Sequence, residues 1–231
     1  MHTLGLVGGT SWHSTVEYYS YINQSVNTHF GDNTNPPLLV NTVNQSLIHR
    51  FQRESNWDGI AELLVKAIKS LEKAGAERVM FCANTPHKVY NQVQQNVQVP
   101  IIHIADALTE AIQQQNVTSV AFLGTKYSMT ETFISQRIEN NNIKVLVPQE
   151  PAVIDELHRI IQQELTYGKI LAPSKAYVLR VIASMVDQGA EGVVLGCTEF
   201  PLMIHNNDLD IPVFNSTEIH ALAAVQFILN D

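Results

Sequence analysis

Cys197 is the residue whose type and setting best suit proton transfer. It stands in Gly189-Ala190-Glu191-Gly192-Val193-Val194-Leu195-Gly196-Cys197-Thr198-Glu199, an apolar run that enters a polar turn. An earlier segment, Gly75-Ala76-Glu77-Arg78-Val79-Met80-Phe81-Cys82-Ala83-Asn84-Thr85, repeats the pattern at an offset of 114 (189 − 75). In this alignment Cys82 falls on Gly196 and Ala83 on Cys197. A thiol at a helix start feels the positive end of the helix dipole and ionises more readily, which makes it a base or a nucleophile. Two such turns facing one cleft would present one acid/base group to each face of a substrate. Here one turn carries Cys197 and the matching position holds Ala83. Side chains alternate along a strand, so Cys82 is expected to point away from the direction of Ala83. Asn84 and Thr85, just past the strand, are better placed as hydrogen-bond partners.

Two further turns repeat in the same way. Gly8-Gly9-Thr10-Ser11 has the composition of an anion cradle at a helix start, and equally of a tight strand–helix turn. It is neither G-x-G-x-x-G nor a P-loop, because no lysine follows the glycines. Gly124-Thr125-Lys126-Tyr127-Ser128 is its counterpart, with hydroxyls that suit a carboxylate or serve as helix caps. His87, His103 and His220 sit near turns and could orient a thiol or a carboxylate. The chain has no H-E-x-x-H, H-x-H or C-x-x-C spacing, so no metal site is expected. No lysine stands in a Schiff-base setting.

The elements that position these residues alternate strand and helix. Leu4–Val7, Leu38–Val43, Val79–Cys82 and Val99–Ile104 read as strands. Helices are expected from Ser11 or Ser14 to about Val26, over Trp57–Ala74 and Asp106–Gln115, and from Pro86 to Asn96. The second half repeats the series, with strands at Ser119–Leu123, Ile143–Pro148, Val193–Leu195 and Ile211–Phe214. Its helices are expected at Ala152–Tyr167, Pro173–Gln188 and Glu218–Leu229. Alternation of this kind means parallel sheets covered on both faces. The expected fold is α/β, with two pseudo-symmetric Rossmann-like lobes of parallel sheet: 1–105 plus 215–231, and 106–214. In open α/β sheets ligands sit beyond the carboxyl ends of the strands, where every polar turn named above lies.

Bulk properties narrow the function. The 231 residues are 45% hydrophobic with net charge −8, and no basic cluster favours nucleic acid. No apolar run approaches the roughly 20 residues of a spanning helix. The start Met1-His2-Thr3-Leu4-Gly5 has no signal-peptide pattern, so a cytoplasmic location with free thiols is expected.

Taken together, Gly5-Leu6-Val7-Gly8-Gly9-Thr10-Ser11-Trp12, Asn84-Thr85-Pro86-His87, Gly124-Thr125-x-x-Ser128, Gly196-Cys197-Thr198-Glu199 and Ile219-His220-Ala221 resemble the aspartate/glutamate racemase family, in order along nearly the whole chain. The resemblance implies two α/β lobes around a cleft, homodimers, and cofactor-independent racemisation by two cysteines, one removing the α-proton and the other delivering a proton to the opposite face. Cys197 matches the second of these, and Ala83 occupies the position of the first. Asn84, Thr85, Thr125, Ser128 and Thr198 match positions that hold the substrate's carboxylates and amine. Thr10 and Gln52 look like further substrate contacts, and Lys169 matches a positive charge for a side-chain carboxylate. His13 and Asn215 stand where relatives often carry Glu and Asp.

The function these readings imply is a racemase or epimerase of aspartate or glutamate. With Ala83 inert, a hydroxyl of Thr10 or Thr85, a water or a displaced Cys82 would exchange protons on the second face, so turnover is expected to be weak or directional. Two other readings fit one working cysteine: a decarboxylase or isomerase of small dicarboxylic acids, and a non-catalytic carboxylate-binding protein.

Overall fold

Leu4–Gly8 (β1) is buried at every position, as a central parallel strand must be. In the computed structural model, which describes residues 1–230, it is hydrogen-bonded on both sides. Asp231, the last residue of the first-lobe assignment, lies outside the described residues. The chain divides into two units, Met1–His103 joined by the helix from His220 onward, and Ile104–Ile219.

In unit 1, β1, Leu38–Thr42 (β2), Arg78–Phe81 (β3) and Ile101–Ile102 (β4) form a parallel sheet of order β2-β1-β3-β4. Crossover helices make this pairing possible. Trp12–Phe30 (α1) links β1 to β2. Gln45–Arg53 (α2) and Trp57–Lys73 (α3) link β2 to β3. A 3₁₀ turn at Thr85–Val89 runs into Tyr90–Gln94 (α4) before β4. One face of the sheet packs Val7, Val79 and Phe81 on Ile60, Leu64 and Ile68 of α3. The other packs Leu4, Leu6, Met80 and Cys82 against Tyr18, Ile22 and Val26 of α1, together with Ala221, Ala224 and Ile228 of the last helix.

Unit 2 repeats the plan. Ser119–Gly124 (β5), Lys144–Leu146 (β6), Gly192–Gly196 (β7) and Val213–Asn215 (β8) form a parallel sheet of order β6-β5-β7-β8. It follows Ile104–Gln114 (α5), and its crossovers are Lys126–Thr130 (α6), Ser135–Glu139 (α7), Pro151–Gln163 (α8) and Ala172–Asp187 (α9). Ser216–Leu229 (α10) closes the chain.

The repeat seen in the sequence has physical content. Gly75 and Gly189 both sit just past a helix, with φ of 97° and 99°, a conformation that costs glycine little. Two residues on, Glu77 accepts the Thr3 backbone N–H at 2.7 Å, and Glu191 accepts that of Thr118 at 2.7 Å. Each carboxylate clamps the start of its sheet's central strand.

Several expected elements differ in extent. α1 runs on to Phe30 because Gly31, left-handed at φ 71°, first stops it and donates its N–H to the Asn27 carbonyl. The expected helix from Pro86 to Asn96 begins instead as a 3₁₀ turn and is α-helical only over Tyr90–Gln94. α8 stops at Gln163 rather than Tyr167, with a 3₁₀ turn closed by left-handed Gly168. β4 keeps two residues of an expected six. The expected lobe boundary before Asn215 moves to His220. Ser216 donates its hydroxyl proton to the Leu195 carbonyl of β7, and His220 donates a ring N–H to the Ile102 carbonyl of β4.

Candidate active site

The position of Cys197 follows from the register of β5 and β7. Leu123 pairs with Leu195 and Gly124 with Gly196, so Cys197 is the first residue beyond the strand's carboxyl end. Gly196 is required there: a β-carbon would lie 2.3 Å from the Phe122 ring. Cys197 is buried at 7% exposure, and its Sγ donates to Glu199 Oε2 at 2.9 Å. Thr198 Oγ1 donates to the same oxygen at 2.8 Å. One carboxylate oxygen therefore collects both protons of the Cys197–Thr198 pair. No α-helix begins at Cys197, and the next turn is a three-residue 3₁₀ segment at Phe200–Leu202. The helix dipole expected from the sequence is replaced by a carboxylate that accepts the thiol proton. Glu199 went unnoticed as a partner because a contact between residues i and i+2 across a turn leaves no periodic signal.

The matching turn in unit 1 follows β3. Val7 pairs with Phe81, and Cys82 N–H donates to the Val7 carbonyl at 3.0 Å. Phe81 thus stands on Leu195, Cys82 on Gly196, and Ala83 on Cys197. Alternation sends Cys82 to the Met80 side of the sheet, at 1% exposure among Leu4, Leu6 and Tyr18. Burial pushes its thiol well above the ordinary range. The group is a packed core thiol that stays protonated. Ala83 is half-buried and offers only a methyl group. Ser14 donates its hydroxyl proton to the Cys82 carbonyl at 2.6 Å, which fixes the turn to the start of α1.

Around Ala83, Asn84 is buried at 6% and Thr85 opens the 3₁₀ turn. Thr10 is half-buried in the glycine turn. The Gly9 N–H in that turn donates to Thr15 Oγ1 at 2.9 Å, and Ser11 caps α1. The anion-cradle reading loses that donor, and the turn is built by helix-start hydrogen bonds. Gly9 itself is obligatory, at φ +86° with the Val43 carbonyl 2.2 Å from any added β-carbon. Gln52 is half-buried on α2, a helix that the sequence pattern did not suggest.

In unit 2, Thr125 caps α6, its Oγ1 accepting from Ser128 N–H at 3.4 Å. Ser128 in turn donates its hydroxyl proton to the Thr125 carbonyl at 2.9 Å. Lys169 is exposed beyond Gly168, its Nζ 5.8 Å from the centre of the Tyr167 ring. Within their own units, Thr198 and Glu199 are joined to Cys197, whereas Ala83, Asn84 and Thr85 form one turn. Among the described residues no group of three or more His, Cys, Asp or Glu side chains is arranged to hold a metal ion. No described helix is long and apolar enough to cross a membrane.

Residues 7–224 match the family model Asp/Glu/Hydantoin racemase. A structure from Yersinia pestis, described as a candidate Asp/Glu racemase, is 38% identical, with a TM-score of 0.94 and coverage of 100% of both chains. An aspartate racemase homologue from Pyrococcus horikoshii is 37% identical, with a TM-score of 0.89 and the same coverage. The broad specificity amino-acid racemase RacX of Bacillus subtilis is 21% identical over 178 residues, 77% of this chain and 76% of that protein.

Proposed function

This chain belongs to the Asp/Glu/Hydantoin racemase family, and on that premise we propose that it removes and returns the α-proton of aspartate or glutamate without a cofactor, with Cys197 as the acid/base group. The observation that carries the reading is the hydrogen bond from the Cys197 thiol to Glu199 at the carboxyl end of β7. Glu199 gives the thiol proton a place to go. As the substrate Cα–H bond breaks and a new S–H bond forms, the original S–H proton passes to Oε2 of Glu199, leaving a carbanion at Cα. The reverse transfers return a proton to carbon.

The family resemblance assigns the substrate's carboxylates and amine to Asn84, Thr85, Thr125, Ser128 and Thr198, with Thr10 and Gln52 as further contacts. Lys169 supplies charge for the side-chain carboxylate. Their residue types support this, since hydroxyl and amide donors suit carboxylates. Ala83 leaves the second face without a thiol. A positioned acid/base group is worth roughly 10²–10⁴-fold, so exchange is fast from one enantiomer and slow from the other. The protein works in the cytoplasm as a homodimer.

Chiral chromatography of aspartate and glutamate incubated with the protein tests the reading. Slow interconversion that is lost in Cys197→Ser supports it. Decarboxylation of a malonate-type acid without any racemisation replaces it with the single-thiol decarboxylase reading. Binding of aspartate without any turnover leaves a carboxylate-binding protein.

A further inference from the structure

Unit 1 buries three histidines beneath the Ala83–Asn84–Thr85 turn, and proton transfer at Cys197 uses none of them. His87, His103 and His220 are 2%, 3% and 0% exposed. They come from three places: the 3₁₀ turn after β3, the residue after β4, and α10. The His87 ring lies edge-on to His103 at 4.5 Å between centres and to His220 at 5.6 Å. Phe81 closes a third side at 5.2 Å.

The tautomers follow from the acceptors. The Ile102 carbonyl can only accept, so His220 donates to it from Nε2 at 3.0 Å, and His220 Nδ1 receives the Tyr18 hydroxyl proton at 2.9 Å. By the same rule His87 donates from Nδ1 to the Asn84 carbonyl at 3.0 Å. That carbonyl also accepts the His87 backbone N–H at 3.1 Å. A single peptide oxygen in the turn is thus pinned twice by one residue, and the ring that pins it is wedged by two other imidazoles. His220 is held by α1 through Tyr18, and His103 packs against Tyr90 of α4 at 4.6 Å.

We propose that His87 is a positioning residue, which holds the Ala83–Asn84–Thr85 turn in the conformation that presents Asn84 and Thr85 to substrate. His103 and His220 hold its ring in place. The proposal rests on the racemase reading for the identity of the substrate, but the geometry of the turn is independent of it. His87 does not touch the reacting carbon in this role. It acts through the peptide carbonyl of Asn84.

Two variants separate positioning from bulk stability. His87→Asn keeps a side-chain N–H near the position of Nδ1, and His87→Leu fills the space without a donor. The first readout is backbone-amide hydrogen exchange of residues 83–85 and 87, measured on the full chain without substrate. The second is KM against kcat for aspartate. Exchange in the turn should quicken in His87→Leu and stay near wild type in His87→Asn. KM should rise roughly 10-fold in His87→Leu, the effect of losing one of the two hydrogen bonds that hold the Asn84 carbonyl, with kcat within a few-fold. Matching exchange patterns in His87→Leu and wild type overturn the proposal, as does equal damage in both variants. If wild-type protein turns over no acidic amino acid, the racemase reading fails while hydrogen exchange still decides the positioning role.

Discussion

Replacing Glu199 with glutamine tests the proton path at its narrowest point. The change keeps the length and shape of the side chain and an amide oxygen that can accept the Cys197 and Thr198 protons, now at 2.9 and 2.8 Å from Oε2. What disappears is the negative charge and the capacity to hold a proton. Loss of a positioned base is worth roughly 10²–10⁴-fold, and replacing a charge-assisted hydrogen bond by a neutral one weakens thiol alignment by about 1 kcal/mol. The expected result is a fall in kcat of about 100-fold or more, or at least about 2.7 kcal/mol in the barrier. KM should change by less than about threefold, since Glu199 makes no proposed substrate contact. Residual activity should climb with pH, because the thiol must then lose its proton to solvent rather than to Glu199. Kinetics of α-proton exchange between pH 6 and 9, with thermal unfolding as a control for folding, measures all three. A loss smaller than about threefold in kcat refutes the path through Glu199. A rise in KM with kcat intact makes Glu199 a binding group instead.

Other changes have equally definite outcomes. Cys82→Ser puts a hydroxyl into an apolar core, so it should cost about 1–3 kcal/mol in urea unfolding while activity per folded molecule is kept. Ala83→Cys restores a thiol at the position matched to Cys197 and should raise exchange from the slow enantiomer by roughly 10²-fold. Gly196→Ala drives a methyl group into Phe122, which is fully buried. It should destabilise unit 2 by roughly 1–3 kcal/mol and lower activity by shifting Cys197. Acid should weaken unit 1 through His87. Burial, with His103 and His220 as the neighbouring cations-in-waiting, holds that imidazole well below its ordinary 6.5. Tyr18 and Tyr90 are the other polar side chains packed on the cluster. His87 is neutral in the fold and charged in the unfolded chain below pH 6.5, so the unfolded state binds the extra proton and stability falls as pH drops from there. The slope steepens below pH 6.5 toward about 1.4 kcal/mol per pH unit for as long as His87 stays neutral in the fold. Urea titrations should show this component in wild type and its absence in His87→Asn.

The strands and the repeat were legible because buried parallel strands are continuous apolar runs, and Gly75 and Gly189 mark the ends of α3 and α9. The burial of Cys82 on the Met80 side of the sheet was legible from the two-residue period of a strand alone. α2 was not, because Gln45–Arg53 is short and has only Leu47, Ile48 and Phe51 as apolar residues, of which Ile48 alone is buried. The Glu199 contact escaped because it is set by the backbone of a turn. The histidine cluster escaped because positions 87, 103 and 220 meet only through the fold of unit 1. The lobe boundary was misplaced by a few residues because α10 is apolar on nearly every face, so its pattern does not say where it changes partners.

Proton NMR of L- and D-aspartate and L- and D-glutamate in D₂O, with wild-type protein and with Cys197→Ser, tests the central claim most directly. The α-proton signal should disappear with wild type, faster from one enantiomer, and persist with Cys197→Ser. Persistence of the signal with all four amino acids, or exchange that survives in Cys197→Ser, would contradict it.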